Sequence, residues 1–426
     1  MLNSRMFRPV AFRLLPLTLA LATLGGLPAC KQTSFKFPQL KFQKKPASEA
    51  AASPEPAVPA LPARTPEETA FLEKCTALAA TGGTITGRDG WFFSSTELQR
   101  LALLQDPSSF RAASTAIADY HDQLKRQGTE LILVPVPPKV ILFPDKLDKD
   151  LKIKLKGKKP ARLDSALQGA YASLRTKGIR VIDVTDALLA TRDDKKLGPV
   201  FPKTAAVWSP RGAATAALTV AAELKGAKWA HQPGKDGPLI TESALLSYRG
   251  PLGTGSAPAE PLAIRNIGRS TDGKMRSVTF SQGGNPLALL GDHTLLAWRE
   301  ANNPIGSSGA FASLADQLAY ELQTTPDLFP GKTEGRNAAR LRILRDATQG
   351  RNPLGSAKVV LWVIQATDLA LNDWKRIPLR LEYNLSQPQL QLTTPDGSTP
   401  SAAPPAPGAP ESSPSPGSPA LPELPR

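Results

Sequence analysis

Short apolar runs alternate with stretches of helical periodicity along most of this chain. Apolar residues at intervals of three and four predict helices, glycines such as Gly128 and Gly178 mark helix ends, and continuous apolar runs predict buried strands. In chain order, the pattern predicts a helix at Ser109–Gln127, a strand at Glu130–Pro137, a helix at Leu163–Lys177, a strand at Ile179–Val184, a helix at Pro210–Leu224, a strand at Leu287–Asp292, a helix at Ala312–Leu322 and a strand at Lys358–Ile364. Strands this apolar, separated by helices, predict an α/β fold with a parallel sheet that helices cover on both faces.

The ends of the chain and one internal stretch depart from this pattern. Residues 234–284 are rich in Gly and Pro and contain the β-like run RSVTF, so we expect an irregular insertion or a small β subregion there. Residues 31–66 and 386–426 are rich in Pro, Ala and Ser and bury too little apolar area to offset the entropy of ordering. We therefore expect a disordered linker at 30–66, one folded domain at 67–385 and a disordered tail at 386–426.

The first residues predict export from the cytoplasm. Three arginines precede the apolar run LLPLTLALATLGGL at 14–27, which is too short and too interrupted by Gly and Pro for a membrane span. The following LPAC resembles a bacterial lipoprotein cleavage box, which implies a signal peptide at 1–29 and acylation of Cys30; plain signal cleavage is the alternative. Lys31 replaces the Asp that often marks inner-membrane retention. We expect a periplasmic protein that a lipid anchors at the outer membrane.

The chain is basic, with a formal net charge of +15 at pH 7. Much of this charge lies in the linker and in KLDKDLKIKLKGKKPAR at 146–162. The simplest interpretation is a solvated loop; the functional one is attraction to an anionic polymer or to lipid head groups. An exported protein rarely meets nucleic acid, so an anionic polysaccharide is the expected partner, together with envelope proteins that modify or export such polymers.

Cysteine and histidine offer little chemistry in this sequence. The chain has two cysteines and three histidines. If Cys30 is acylated, Cys75 has no disulfide partner, and we expect it to pack as a small apolar residue. No clustered Cys/His spacing predicts a metal site, and nothing predicts a cofactor.

Two predicted strand ends carry the candidate site, because chemistry in open α/β sheets gathers at the carboxyl ends of strands. One is LLGDHT at 289–294, and the other is AAVWSPRGA at 205–213. In the latter, Ser209 suits an N-cap and Pro210 suits the first helical position. The loop before that helix is a usual place for polar catalytic groups, yet it holds only Ala205, Ala206 and Val207.

Several blocks together resemble the alginate O-acetyltransferase family of the AlgX/AlgJ type. They are GRDGWFF at 87–93, LILVPVPPKVILFPDKL at 131–147, GIRVIDVTDALL at 178–189, VWSPRGAATAA at 207–217, LLGDHT at 289–294, SLADQLAYEL at 313–322 and LWVIQATDLALNDWKRIPL at 361–379. The resemblance implies a circularly permuted SGNH-hydrolase-like domain. It also implies an Asp–His pair at the helix start and a Ser nucleophile in a later loop, which pass an acetyl group to a sugar hydroxyl.

Residue by residue, the resemblance places Ala205 at the family's Asp position, Val207 at its His position and His293 at its Ser position. The predicted catalytic set is therefore vestigial. The neighbouring family residues that this chain keeps are candidates for ligand binding in the cleft that the resemblance implies; they are Trp208, Ser209, Asp292 and Thr294. Trp208 is the best candidate for lining the cleft, although such residues more often belong to a core, and His293 more often serves as a hydrogen-bonded loop residue.

These observations favour a catalytically inactive envelope lipoprotein that assists exopolysaccharide acetylation, binding or export. One alternative is an active sugar O-acetyltransferase or acetyl esterase that uses non-standard residues. Another is a scaffold whose Pro-rich tail contacts the cell wall.

Overall fold

The computed structural model describes residues 63–194, 196–231, 237–253, 257–271, 274–299, 310–331 and 336–380. They all belong to one unit of the chain, Val58–Arg426. The predicted signal peptide, most of the linker and the predicted tail lie outside the described residues, so those boundaries stay predictions. In the described part of the chain, no helix is both long enough and apolar enough to cross a membrane.

Helices and strands alternate through the described residues. The helices are α1 (Pro66–Ala79), α2 (Ser95–Leu103), α3 (Arg111–Arg126), α4 (Lys139–Leu142), α5 (Ser165–Thr176), α6 (Thr185–Thr191), α7 (Pro210–Leu224), α8 (Leu314–Leu322) and α9 (Ala338–Thr348). The strands are β1 (Thr84–Thr86), β2 (Phe92–Ser94), β3 (Glu130–Val136), β4 (Leu155–Lys156), β5 (Lys159–Pro160), β6 (Arg180–Val181), β7 (Asp193–Asp194), β8 (Gly198–Pro199), β9 (Ile240–Tyr248), β10 (Glu260–Thr271), β11 (Lys274–Ser277), β12 (Leu287–Gly291), β13 (Asp327–Pro330) and β14 (Val359–Gln365).

A five-stranded parallel sheet with the order β13-β12-β14-β3-β6 forms the centre of the fold. Strands β3, β12 and β14 are buried along almost their whole length, which explains their continuous apolar runs. The predicted α/β class with a parallel sheet is confirmed. The edge strand β13 was not predicted, because it begins with a buried Asp327 whose carboxylate accepts hydrogen bonds from Ser281 and Asn285.

Some helices and strands begin or end at residues other than the predicted ones, because side-chain hydrogen bonds near these residues redirect the chain. Strand β6 stops at Val181 rather than Val184, because the carboxylate of Asp183 accepts the backbone N–H of Thr185 at 2.9 Å and turns the chain into α6. Helix α8 starts at Leu314 rather than Ala312, because Ser313 forms a capping box with Asp316. Helix α7 has its predicted bounds.

A three-stranded antiparallel sheet, β9 to β11, occupies much of the stretch predicted as an insertion. Its middle strand is tied to α8, since the guanidinium of Arg265 donates to Gln317 Oε1 at 2.7 Å and to Glu321 Oε1 at 2.6 Å. Gly268 allows the tight pairing with β11, because a Cβ there would lie 2.3 Å from the carbonyl oxygen of Arg276. The described residues of this stretch are therefore mainly β strand, while its status as an insertion stays a prediction.

The predicted basic cluster forms an exposed hairpin of β4 and β5. Five lysines on and before this hairpin are exposed and have no ion-pair partner among the described residues; they are Lys149, Lys152, Lys154, Lys156 and Lys158. The hairpin lies beside the first turn of α1, where the N–H of Lys154 donates to Glu67 at 2.7 Å. This surface, which we call the basic hairpin, is solvated, as the simplest sequence interpretation expected.

One buried cation organises the core around the central strand β14. The side chain of Arg340 in α9 is fully buried, and its guanidinium lies 4.7 Å from the ring centroid of Trp362 and 5.6 Å from that of Tyr120. It also donates to the carbonyl oxygen of Lys375 at 2.9 Å. Burial lowers the pKa of Arg340 to about 10, so the guanidinium keeps its charge at neutral pH.

We expect Arg340→Ala to lower the free energy of unfolding by about 3 kcal/mol, because it leaves a cavity and removes hydrogen bonds in the core. Urea denaturation followed by tryptophan fluorescence measures the change. Arg345→Ala is the matched control, since Arg345 is exposed on the same helix; it should cost less than about 0.5 kcal/mol. Equal losses in the two variants would contradict this account of the core.

Candidate functional site

A cavity of about 280 Å³ opens at the carboxyl ends of β12 and β14. Its walls come from residues between 94 and 100, Ala206–Val207, Asp292–His293, Arg336 and residues between 365 and 368. We call this cavity the cleft. Its location agrees with the expectation that a site lies where parallel strands end.

The structure brings two of the three predicted triad positions to the cleft. Val207 and His293 both line it. Ala205 is fully buried and does not line the cavity; it lies two residues before Val207. Of the four predicted cleft-binding residues, only Asp292 lines the cavity.

The other three predicted binding residues are almost completely buried and have structural partners. The hydroxyl of Ser209 accepts the N–H of Gly212 at 3.1 Å and donates to the carbonyl oxygen of Pro199 at 2.6 Å, so it is committed as the N-cap of α7. The hydroxyl of Thr294 donates to Asp292 at 2.6 Å. Trp208 belongs to the core, which is the more common role of such residues.

Two indoles join the segments that carry the predicted triad positions. The indole N–H of Trp208 donates to the carbonyl oxygen of Thr294 at 3.2 Å, and the indole N–H of Trp298 donates to the carbonyl oxygen of Trp208 at 2.6 Å. Both side chains are fully buried. Each indole satisfies a backbone carbonyl of the other segment, which fixes the start of α7 against the turn after β12. We call this reciprocal contact the indole brace.

Sequence reasoning missed a buried lysine that contacts the segment before α7. The ammonium group of Lys139 donates to the carbonyl oxygens of Phe92 at 2.7 Å, Lys203 at 2.8 Å and Ala205 at 3.0 Å. Three acceptors match the three protons of the ammonium group. Burial lowers the pKa of Lys139 to about 7, and the carboxylate of Glu97 partly offsets this shift.

Glu97 brings a carboxylate to the wall of the cleft. One carboxylate oxygen accepts the N–H of Val140 at 3.2 Å. Burial raises the pKa of Glu97 to about 7, against the opposite effect of hydrogen bonds from the backbone and of the charges on Lys139 and Arg100. A carboxyl group with this pKa holds or releases a proton near neutral pH.

An ion-pair network forms the opposite side of the cleft. Arg100 donates to Asp368 Oδ1 at 2.5 Å, and Arg336 Nε lies 3.7 Å from the other carboxylate oxygen. Arg336 also contacts Asp373. Burial raises the pKa of Asp368, while the two arginines act in the opposite direction. No local pattern in the sequence signals this network, since Arg100 and Asp368 lie far apart along the chain.

Among the described residues, His293 has no hydrogen-bonded partner that would make it a catalytic base. Its side chain is 41% exposed, and its Nδ1 lies 4.0 Å from Asp292 Oδ2, beyond hydrogen-bond distance, while Asp292 Oδ1 accepts from the amide and hydroxyl of Thr294. Ser94 and Thr96 bring hydroxyl groups to the cleft. Within the described residues, however, no hydroxyl is hydrogen-bonded to His293.

The described residues contain no group of three or more His, Cys, Asp or Glu that could hold a metal ion. Cys75 is buried in α1, and burial raises the pKa of its thiol. The protonated thiol packs in the core, as the sequence led us to expect.

We expect Lys139→Met to lower the free energy of unfolding by about 3 kcal/mol or more, because three backbone carbonyls lose their donor. Chemical denaturation measures this loss. Lys125→Met, at an exposed position of α3, is the matched control. A loss at Lys139 no larger than the control would mean that the lysine does not hold the segment before α7 in place.

Glu97 should make stability depend on pH. Because its pKa is raised from 4.5 to about 7, the folded state binds the proton more tightly than the unfolded chain does. This contribution is therefore fully present at low pH and is lost as the pH rises through about 7. Relative to wild type, Glu97→Gln should gain about 1 to 3 kcal/mol between about pH 5 and about pH 8. Denaturation at both pH values measures this gain, with Glu73→Gln on the exposed face of α1 as control. A pH-independent difference would contradict the assignment.

Part of the fold is similar to known proteins. Residues 84–292 match the family described as an SGNH hydrolase-like domain of the acetyltransferase AlgX. A probable alginate O-acetylase, AlgJ of Pseudomonas aeruginosa, is 32% identical over 144 residues, or 34% of this chain and 33% of that protein. AlgJ of Pseudomonas syringae pv. tomato is 30% identical over 182 residues, or 42% of each chain. The matched stretch thus spans less than half the length of either relative.

Among solved structures, the O-acetyltransferase domain of Pseudomonas putida AlgJ is similar over 68% of this chain and 92% of that chain, with 23% identity and a TM-score of 0.48. The family match covers the strands from β1 to β12, the start of α7 and Asp292. Residues 84–292 therefore resemble the SGNH hydrolase-like domain of the acetyltransferase AlgX, and the relatives that match this chain are probable alginate O-acetylases.

Proposed function

We propose that this protein is a catalytically inactive member of the alginate O-acetyltransferase family that assists exopolysaccharide acetylation, binding or export. The observation that carries the proposal is the composition of the cleft. Val207 and His293 face one cavity, at positions where the family resemblance implies a histidine base and a serine nucleophile. Neither side chain supplies an oxygen that attacks an acyl group.

The groups that nucleophilic catalysis requires, and the rate lost without them, support this proposal. An acyl transfer to serine needs the hydroxyl and its base within hydrogen-bond reach, and a third group that orients the base. Removal of one member of such a set commonly costs several orders of magnitude in rate, and what remains comes from binding and oxyanion contacts. In this chain all three positions differ from the implied residues.

The contacts that hold the walls of the cleft together support a binding role for it, because a cleft without any function would not need them. The indole brace and the bonds of Lys139 keep the walls of the cleft in place. The basic hairpin adds a positive field that attracts an anionic polymer. Alginate, named in the relatives AlgJ, is such a polymer. We extend this ligand class to the present protein as part of the proposal.

The proposal also includes a location in the cell envelope. The sequence before the described residues supports a periplasmic lipoprotein, acylated at Cys30 and anchored at the outer membrane. Envelope proteins that modify or export the polymer would then be its partners. A Cys30→Ala variant that stayed in the membrane fraction would contradict the lipid anchor.

A second candidate function has one observation in its favour. Ser94 and Thr96 place hydroxyl groups in the same cavity as Glu97, whose pKa of about 7 suits a general base. An O-acetyltransferase or acetyl esterase with non-standard residues would use one of these hydroxyls as the nucleophile. The structure gives neither of them a hydrogen bond to Glu97 or to His293.

One experiment separates the two candidates. The purified full chain is incubated with an activated acetyl ester, and acetate release is compared with that of His293→Ala, Ser94→Ala and Glu97→Gln. The proposal predicts the same low release from all four proteins. Release from the wild type that any of these substitutions abolishes, in a variant that still folds by circular dichroism, would overturn the proposal and support the second candidate.

A further inference from the structure

A second groove lies next to the cleft. It has a volume of about 650 Å³ and lies between the end of α2, the turn at Pro107–Phe110, the first residues of α3 and the segment 370–376. We propose that this groove binds a carboxylate-bearing sugar unit of the same polymer whose neighbouring units occupy the cleft. This inference rests on the proposed function and names the part of the ligand that the protein recognises.

Two arginines make the groove selective for anions. Arg111 and Arg376 both line it, both are exposed, and neither has an ion-pair partner among the described residues. No carboxylate belongs to the lining. A guanidinium group binds a carboxylate through two parallel hydrogen bonds, which gives geometric selectivity as well as charge. A polymer of sugar acids presents such carboxylates at regular intervals.

Two carboxylates that lie close to these arginines along the chain have other partners. Asp106 accepts from the N–H of Ser108 at 2.8 Å and from its hydroxyl at 2.7 Å, which caps the turn before α3. Asp373 contacts Arg336 on the side of the cleft. The charges of Arg111 and Arg376 are therefore not neutralised by these two acids. The first turn of α3 adds the positive end of a sixteen-residue helix.

The rest of the lining suits the apolar and hydroxyl faces of a sugar. Leu103, Ala112 and Ala116 give the groove apolar surface, and the amide of Asn372 adds a donor and an acceptor. Trp374 also lines the groove and is otherwise buried.

The groove and the cleft share two walls, so one ligand can reach both. On α2, Arg100 lines the cleft and Leu103, one turn later, lines the groove. One helical turn advances about 5 Å along the axis, which is comparable to a sugar ring. On the other wall, Asp368 lines the cleft and Ala370 lines the groove. The ion pair between Arg100 and Asp368 therefore stands between two adjacent subsites.

The walls are also tied to each other. The indole N–H of Trp374 donates to the carbonyl oxygen of Asp368 at 2.9 Å. The carboxylate of Asp368 in turn accepts a hydrogen bond from Arg100. A ligand bound in the groove thus contacts a surface that is rigidly connected to the cleft.

The test measures binding of the full chain by isothermal titration calorimetry. The probes are an oligouronate long enough to span both cavities, a neutral oligosaccharide of the same length and an oligoglutamate of the same charge. The test variant is Arg111→Gln/Arg376→Gln. The matched control is Arg126→Gln/Arg345→Gln, which removes the same charge from exposed positions that line none of the cavities described here.

We expect the test variant to bind the oligouronate at least about tenfold more weakly than wild type, because two bidentate contacts are lost. The control variant should stay within about threefold, since long-range charge alone is screened by salt. Equal losses in both variants, or no loss in the test variant, would overturn the subsite. Oligoglutamate that binds as tightly as the oligouronate would overturn the assignment to a sugar.

Two further outcomes separate this inference from the proposed function. If the wild type binds no oligouronate, both the polymer-binding role and the subsite are wrong. If the wild type binds it and also transfers acetyl groups, the inactive role is wrong, while a loss in Arg111→Gln/Arg376→Gln still supports the subsite.

Discussion

The geometry of the cleft depends on the indole brace. Trp208 lies just before α7, and Trp298 lies in the turn after β12. The indole N–H of Trp208 donates to the carbonyl oxygen of Thr294 in that turn, and the indole N–H of Trp298 donates to the carbonyl oxygen of Trp208. Buried indole groups need such partners, so separation of the two segments would leave donors and acceptors unsatisfied in the core. This constraint holds the start of α7 and the turn after β12 at one cavity. The positions of Val207 and His293 are thereby fixed whether or not they carry chemistry.

The polar groups around the cleft serve structure more clearly than they serve catalysis. Lys139 donates its three protons to backbone carbonyls, and Asp292 Oδ1 accepts two hydrogen bonds from Thr294. Arg100 and Asp368 neutralise each other. The lysines of the basic hairpin and the two arginines of the groove remain exposed and without an ion-pair partner among the described residues. This distribution is consistent with the proposed binding role, in which the implied reactive positions hold Ala205, Val207 and His293.

Local signals in the sequence were enough for some elements and failed for others. The bounds of α7 were predictable because Ser209, Pro210 and the apolar face act within the helix itself. The buried strands β3, β12 and β14 were predictable from continuous apolar runs. The strand β13 was not, because its first residue is a buried aspartate that depends on Ser281 and Asn285, more than forty positions earlier.

Some residues of the candidate site were also predictable from the sequence, and others were not. A resemblance over short motifs found the two segments that meet at the cleft, and the structure places Val207 and His293 there. It did not find Glu97, Lys139 or the pair of Arg100 and Asp368, since their roles come from burial and from partners distant in the chain. Trp208, Ser209 and Thr294 were candidates for binding because they lie beside the implied catalytic positions. Their side chains instead point into the core or cap a helix.

The central claim is that no side chain in the cleft generates an attacking oxygen. Covalent trapping tests it most directly: the full chain is treated with a sulfonyl fluoride that reacts with activated hydroxyl nucleophiles, and its intact mass is measured. The account predicts an unchanged mass under conditions that label an active serine hydrolase stoichiometrically. A single adduct that peptide mapping assigns to a residue lining the cleft would contradict it.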